Sequence, residues 1–182
     1  WSYRLRVATD IAYALSYMHN ALSKPVVHRD VQSLGVLLDQ SFDAKLANFG
    51  ISVSVTPGEK SKKWPVQGTP GYIDPEYVQT QEVTDKCDVY GFGVLMLELL
   101  TGRHPAIMAE NGVDLVDAFL SAVQRNQVME MIDKKNLEEG SRDEIQKFMQ
   151  LALKCVAKIG MERPTMIEIV SELWRMQGQG RE

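Results

Sequence analysis

The chain has 182 residues, of which 45% are hydrophobic and 24% are charged, as is usual for a soluble globular protein. This length is enough for one domain with a sizeable apolar core. The net charge of −4 and the lack of a basic run argue against a nucleic-acid-binding surface. The longest apolar stretch, residues 89–100, contains Glu98 and is too short to cross a bilayer, so we expect no membrane contact by this segment itself.

The first predicted helix covers residues 5–22, where apolar side chains recur about every four residues, and Pro25 follows its end. Short β-prone pieces come next, at residues 26–27, 36–38 and 44–47. Residues 39–43 are predicted to form a turn between the last two pieces. Residues 48–72 show no periodicity and are rich in Ser, Thr, Lys, Pro and Gly, which predicts a long loop of functional or disordered character.

The second half of the chain is predicted to be helical. Thr84 caps a run from residue 85 to Thr101, and Gly102 ends it. A further apolar stripe consists of Leu115, Ala118, Phe119, Ala122 and Val123. Two capping boxes, Ser141 with Glu144 and Thr165 with Glu168, precede two more helices, and residues 177–182 form a polar tail. The sequence therefore predicts a mainly α protein with a small β-hairpin beside a long loop.

Two cysteines, Cys87 and Cys155, lie far apart inside apolar helical patterns, without the spacing of a metal site. Such residues are usually buried thiols, which predicts reduced cysteines in a reducing, cytoplasmic compartment. The chain opens at Trp1 without a Met and within a helical pattern. We therefore expect a fragment, whose upstream sequence could include transmembrane and extracellular parts.

Three motifs stand in order along the first half of the chain: His28-Arg29-Asp30, Asn48-Phe49-Gly50 and Gly68-Thr69-Pro70-Gly71-Tyr72-Ile73-Asp74-Pro75-Glu76. Each motif alone carries little weight. Together they are highly specific, because a hairpin and a loop separate them and a helix with Asp88-Val89-Tyr90-Gly91-Phe92-Gly93 follows. On these residues the chain resembles the C-terminal lobe (C-lobe) of eukaryotic protein kinases, and most closely the plant receptor-like serine/threonine kinases. Glu162-Arg163-Pro164-Thr165-Met166 matches a late signature of the same group.

The resemblance implies a protein-kinase-like α+β fold over residues 1–182, as the C-lobe only, with the N-lobe absent. The helical bundle would carry the catalytic and activation loops on a small β-hairpin, with the activation segment at residues 48–76. In the family, ATP with magnesium binds between the two lobes, so this chain would hold only the floor of the cleft. The resemblance also implies the intracellular part of a plasma-membrane receptor.

At the catalytic site, the resemblance implies that Asp30 accepts the proton of the substrate hydroxyl and that Thr69 contacts Asp30. Three positions depart from the family pattern. Gln32 replaces a Lys that contacts the transferred phosphate, Gly35 replaces an Asn metal ligand, and Asn48 replaces an Asp metal ligand. Asp30 is then either a working base or an acid bonded only to Thr69 and its own loop. Asn48 is either a weak magnesium or nucleotide contact or a loop-closing amide.

The residues that support the fold match the family. The resemblance implies that Asp88 braces the catalytic loop, which contains His28, and that Glu76 and Arg163 form a buried ion pair. Arg29 would dock a phosphorylated activation segment.

The activation segment offers four phosphorylation acceptors, Ser52, Ser54, Thr56 and Ser61; the alternative is a polar loop without regulation. The basic cluster Lys60, Lys62 and Lys63 is expected to be solvated, and His19 and His104 are expected at the surface.

Three functional hypotheses follow from these residues. The first is a signalling or interaction module with little phosphoryl transfer, acting with a protein partner, a co-receptor kinase or an N-lobe from upstream sequence. The second is a serine/threonine kinase with residual activity in the full-length protein, since Asp30 and Thr69 remain. The third is a polypeptide that does not stand alone, because the upper face of the C-lobe, around residues 36–38 and 47–51, would be apolar and uncovered.

Overall fold

The computed structural model describes residues 1–55 and 63–179. These residues contain eight α-helices: α1 (Ser2–Asn20), α2 (Pro75–Thr80), α3 (Asp85–Thr101), α4 (Pro105–Glu110), α5 (Leu115–Gln124), α6 (Lys134–Glu139), α7 (Arg142–Cys155) and α8 (Met166–Gln179). They also contain four short strands: β1 (Val26–Val27), β2 (Val36–Leu38), β3 (Ala44–Leu46) and β4 (Val53–Ser54). The predicted mainly α fold is confirmed. In the described part of the chain, no helix has both the length and the apolar character needed to cross a bilayer.

Helix α3 forms the centre of the core. Thirteen of its 17 residues are buried, and a helix that is apolar around most of its circumference lies inside a protein rather than on its surface. Thr84 caps its start by accepting the N–H of Lys86, and Gly102 ends it with a left-handed φ of 68°, as predicted. Helices α1 and α7 pack against α3, and α8 packs against α1.

The strands form two separate antiparallel pairs. Strands β2 and β3 form the predicted hairpin. Asp39 closes its turn, because the Asp39 Oδ1 atom accepts hydrogen bonds from the N–H groups of Ser41 at 2.8 Å and Asp43 at 3.0 Å. Strands β1 and β4 form the second pair, with Val27 opposite Val53. This second pair joins the chain just before the catalytic motif to the start of the activation segment.

Several predicted boundaries differ from the structure. Helix α1 begins at Ser2 and ends at Asn20, whereas residues 5–22 were expected. The predicted loop at residues 48–72 contains strand β4, which pairs with a distant strand that local sequence does not reveal. Helices α2, α4 and α6 have six residues each, too few for apolar periodicity to be visible.

The predicted polar tail at residues 177–182 is helical as far as Gln179. Met176 is 3% exposed, and the Gln177 Nε2 atom donates a 3.0 Å hydrogen bond to the Thr9 hydroxyl on α1. The burial of Met176 and the hydrogen bond to Thr9 hold the last turn of α8 in place. Residues 180–182 lie outside the described part of the chain.

An apolar surface is exposed around the β2–β3 hairpin and the Asn-Phe-Gly turn. Leu34, Leu37 and Phe49 are 72%, 59% and 51% exposed. Clustered large apolar side chains at a surface usually mark a contact with another domain or protein. The structure therefore has the exposed upper face that the sequence predicts.

Candidate catalytic site

Asp88 fixes the catalytic loop to helix α3. Its Oδ2 atom accepts a hydrogen bond from the backbone N–H of His28, and its Oδ1 atom accepts one from that of Arg29, both at 2.7 Å. Asp88 is 1% exposed, so these charge-assisted hydrogen bonds lie in a region of low dielectric. Arg29 adopts a left-handed φ of 71°, a conformation that the two bonds help to hold. The structure thus places Asp88 beneath the loop, as the resemblance implies.

His19 is a partner of Asp88 and not a surface residue as expected. The His19 Nε2 atom lies 2.8 Å from the Asp88 Oδ2 atom, and the His19 side chain is buried. Sequence spacing could have shown this, because His19 follows the buried Leu15 by four residues and so lies on the inner face of α1. Helix α1 therefore contributes to the support of the catalytic loop.

Both carboxylate oxygens of Asp30 accept hydrogen bonds from neighbours. The Thr69 hydroxyl donates to Oδ1 at 2.7 Å, and the Gln32 Nε2 atom donates to Oδ2 at 3.3 Å. Gln32 is 7% exposed, and its Oε1 atom is buried without a hydrogen-bond partner in the described residues. A neutral amide therefore stands beside Asp30, where the family has a cationic Lys.

The two positions expected to contact metal are neighbours in space. A Cβ atom added to Gly35 would lie 3.6 Å from the Asn48 Nδ2 atom. Asn48 is exposed and has a left-handed backbone, with φ 66° and ψ 50°. Asn tolerates this conformation better than most residues, so the turn keeps its shape without the Asp charge. The next residue, Phe49, packs edge-on against the His28 ring at 4.9 Å between centroids.

The side chains at positions 35 and 48 do not provide the ligands that a magnesium ion requires. Magnesium requires a near-ideal octahedral set of oxygen ligands, usually including one or two carboxylates. Asn48 offers one neutral amide oxygen and Gly35 offers no side chain. Within residues 1–55 and 63–179, no group of three or more His, Cys, Asp or Glu side chains could hold a metal ion.

A hydrogen-bonded cluster that the sequence did not predict joins the catalytic loop to the Gly-Thr-Pro-Gly-Tyr segment. The Glu98 carboxylate accepts from the Ser33 hydroxyl at 2.9 Å and from the Tyr72 hydroxyl at 2.5 Å. Burial and the hydrogen bond to Glu98 raise the pKa of Tyr72 well above its ordinary value, so the hydroxyl remains a donor. The Tyr72 ring also contacts His104, which is half-buried and not at the surface as expected.

Arg29 points into the activation segment. Its guanidinium donates to the backbone carbonyl oxygens of Ile51 and Pro65 and to the Tyr77 hydroxyl. Of the candidate phosphorylation acceptors, Ser52 and Ser54 are described, and their hydroxyls donate to the carbonyl oxygens of His28 and Pro25. The other two, Thr56 and Ser61, and the basic residues Lys60 and Lys62 lie outside the described residues, while Lys63 is exposed.

The expected ion pair between Glu76 and Arg163 is replaced by a pair between Asp74 and Arg163. The two guanidinium nitrogens Nη1 and Nη2 donate to the Asp74 carboxylate at 2.6 and 2.7 Å. Glu76 instead accepts the backbone N–H of Gly160 at 2.8 Å. Asp74 is the N-cap of α2, with Pro75 at the first helical position, and this places its carboxylate inward at 2% exposure.

Comparison with known proteins shows the family of the chain. The family model described as "Protein kinase domain" matches residues 3–175. Wall-associated receptor kinase-like 5 of Arabidopsis thaliana is 44% identical over 97% of this chain and 24% of its own length. Wall-associated receptor kinase-like 17 and wall-associated receptor kinase 5 of the same plant are 40% and 39% identical, over 97% and 95% of this chain and 23% and 24% of their own lengths.

The chain spans about a quarter of the length of the curated relatives it matches. The motifs His28-Arg29-Asp30, Asn48-Phe49-Gly50 and Gly68–Glu76 all fall within the matched residues. The chain therefore belongs to the protein kinase family, and the plant receptor kinases are relatives that it resembles along nearly its whole length.

Proposed function

We propose that the chain is a kinase-like signalling module with little or no phosphoryl transfer, which acts by binding a protein partner. The observation that carries this proposal is the absence of any carboxylate at Gly35 and Asn48, two neighbouring positions of the described site. Gln32 also supports the proposal, because a neutral amide that is hydrogen-bonded to Asp30 stands at the position of a phosphate-contacting Lys.

The expected loss of phosphoryl-transfer rate favours an interaction role. Protein kinases use ATP and magnesium, and their catalysis rests almost entirely on positioning and charge stabilisation. Loss of one preorganised charge partner typically lowers a rate by about 10²–10³, and several losses in one unit do not add simply. We expect a rate several orders of magnitude below the roughly 1–100 per second of active kinases.

The contact that supports the catalytic loop is kept, which favours a structural and binding role. The buried Asp88 still holds the catalytic loop, and the exposed Leu34, Leu37 and Phe49 form a surface that needs cover. We propose that a kinase N-lobe from upstream sequence, or a partner such as a co-receptor kinase, covers it. Because the relatives carry the name receptor kinase, we also propose that the chain is part of the intracellular portion of a plasma-membrane receptor.

The first test measures magnesium-dependent autophosphorylation by the longest native polypeptide that contains this chain. We expect incorporation of labelled phosphate no higher than in the Asp30→Ala variant, which lacks the proton-accepting position. Substantial incorporation that Asp30→Ala abolishes would overturn the proposal.

A second test restores the missing groups. A Cβ on Gly35 would come no closer than 3.6 Å to its neighbours, so the first atom of a side chain fits at this position. In the same polypeptide, Gln32→Lys combined with Gly35→Asn and Asn48→Asp should gain a magnesium-dependent thermal shift with ATP. The native protein and the control Gly35→Ala, which fills the space without adding a ligand, should show none.

The alternative function is a serine/threonine kinase with residual activity. The 2.7 Å hydrogen bond between Thr69 and Asp30 favours it, because this bond keeps the Asp30 carboxylate oriented. Residual activity requires ATP binding. A magnesium-dependent shift with ATP in the native polypeptide, together with phosphate incorporation lost in Asp30→Ala, would establish this alternative.

A further inference from the structure

The guanidinium of Arg29 is held inside the fold by neutral partners. Its Nη1 atom donates to the carbonyl oxygen of Ile51 at 2.9 Å. Its Nη2 atom donates to the carbonyl oxygen of Pro65 at 2.8 Å and to the Tyr77 hydroxyl at 2.5 Å. Arg29 is 9% exposed, so these bonds form in a region from which water is largely excluded. Among the described residues, none of these acceptors carries a charge.

Two aromatic rings lie beside the same cation. The Cζ atom of Arg29 lies 5.6 Å from the ring centroid of Trp64 and 5.6 Å from that of Tyr77. A guanidinium within about 6 Å of a ring centroid is attracted by the ring face, most strongly when the pair is shielded from water. These rings therefore supply part of the stabilisation that an anion would otherwise give.

The partners of Arg29 come from the start of the activation segment, from its residues 64 and 65, and from α2. Trp64 is itself held in place, because its backbone N–H donates to the carbonyl oxygen of Gln81 at 3.0 Å. Lys63 forms an antiparallel bridge with Glu82. The Trp64 ring packs against a small buried cluster that includes Tyr77. Arg29 thus links residues 64 and 65 of the segment to the catalytic loop.

Little room remains for a phosphate group beside this cation. The cavity bordered by Arg29, Thr69 and Tyr77 has a volume of about 10 Å³. That volume is close to the minimum for one water molecule. This cavity is therefore too small to admit a phosphate group without rearrangement of the residues that line it.

We propose that Trp64 and Tyr77 are positioning residues that hold Arg29, and with it the segment from Lys63 to Tyr77, in an ordered arrangement without phosphorylation. In this arrangement the aromatic faces and backbone carbonyls take the place of the phosphate that the family resemblance assigns to Arg29. The proposal goes beyond the proposed function and does not depend on it, because the arrangement is the same whether or not the chain transfers phosphate.

The test is hydrogen exchange followed by mass spectrometry on phosphatase-treated protein whose mass shows no phosphate. The peptides that contain Arg29 and residues 63–77 should exchange slowly in this protein. Exchange at the rate of an unfolded peptide would overturn the proposal, and this measurement requires no variant.

Substitutions of Trp64 then separate the role of the ring from that of apolar packing. Trp64→Leu keeps much of the apolar volume without a ring face and should speed exchange of both peptides by about tenfold, while Trp64→Phe should restore most of the protection. Trp174→Ala, which removes an exposed ring on α8, should change neither peptide. Equal protection in Trp64→Leu and Trp64→Phe would show that the ring does not hold Arg29, and would contradict the proposal.

Discussion

The Asp74 carboxylate and the Arg163 guanidinium, 89 residues apart along the chain, form a buried bidentate ion pair. Every N–H group of the guanidinium has an acceptor, because the carbonyl oxygens of Ala157, Lys86 and Lys158 take those that Asp74 does not. The Arg163 guanidinium also lies over the Tyr90 ring at 5.0 Å. This arrangement joins the end of the activation segment to the loop before α8.

Asp74→Asn should be strongly destabilising. Asn is a good N-cap, so α2 keeps its start, but the buried Arg163 loses its counter-charge. Removal of one partner from a buried ion pair costs about 3–5 kcal/mol of unfolding free energy. Urea unfolding monitored by circular dichroism would measure this loss.

Glu76→Gln is the matched control for that change. Glu76 accepts a single backbone N–H, from Gly160, and a glutamine oxygen can accept it as well. We expect a loss of about 1 kcal/mol or less. If Glu76→Gln were as damaging as Asp74→Asn, the assignment of Asp74 as the partner of Arg163 would be wrong.

Substitution of His19 should weaken the support of the catalytic loop from α1. His19→Leu leaves the buried Asp88 carboxylate with one donor fewer, which costs about 1–3 kcal/mol. His19→Gln, which keeps an N–H donor, should cost less. Urea unfolding of the two variants measures the difference, and equal losses would mean that the hydrogen bond to Asp88 contributes little.

Gly93 lies where α3 and the end of α7 are too close together for a side chain to fit between them. A Cβ atom there would stand 2.6 Å from the Cys155 Cβ atom and 2.8 Å from the Val156 Cγ1 atom. Gly93→Ala should therefore force the helices apart and cost about 1–3 kcal/mol. Gly178→Ala, in a helix position with nothing within 4 Å, should be neutral or stabilising by up to about 1 kcal/mol. In thermal melts, the midpoint of Gly93→Ala should fall below the native value, and that of Gly178→Ala should not.

The long helices could be predicted because their signals are local. Thr84, Ser141 and Thr165 act as caps, and the hydrogen bonds that they form join residues two or three apart. Apolar stripes identify which face of each helix is buried. The contact between Gln32 and Asp30 also joins residues two apart.

Partners that are distant in sequence could not be predicted in the same way. Periodicity indicates that His19 faces inward. It does not indicate that the hydrogen-bond partner of His19 is Asp88, 69 residues later. The identity of the acid that pairs with Arg163 depends on where α2 begins, and a six-residue helix gives no periodic signal. Likewise, the approach of Trp64 to Arg29 depends on how the activation segment folds back on α2.

The two cysteines are buried in the structure, at 8% exposure for Cys87 and none for Cys155. Burial raises the pKa of each thiol from 9.0 to about 12. The unfolded chain loses these thiol protons at lower pH than the folded chain does. The contribution of the two thiols to the unfolding free energy is therefore fully present below pH 9 and is lost as the pH rises toward 12. At pH 10 the loss should be on the order of 1 kcal/mol for each thiol.

Thiol labelling and unfolding measurements would check this expectation together. With Ellman's reagent near pH 8, neither cysteine of the native protein should react at the rate of a cysteine introduced by Ser171→Cys on the exposed face of α8. Both should react after denaturation. The fall in unfolding free energy from about pH 8 to pH 10 should also be smaller in the variant carrying Cys87→Ala and Cys155→Ala than in the native protein. Rapid native labelling of Cys155 would contradict the packing of α7 against α3, since that packing is what excludes water from its thiol.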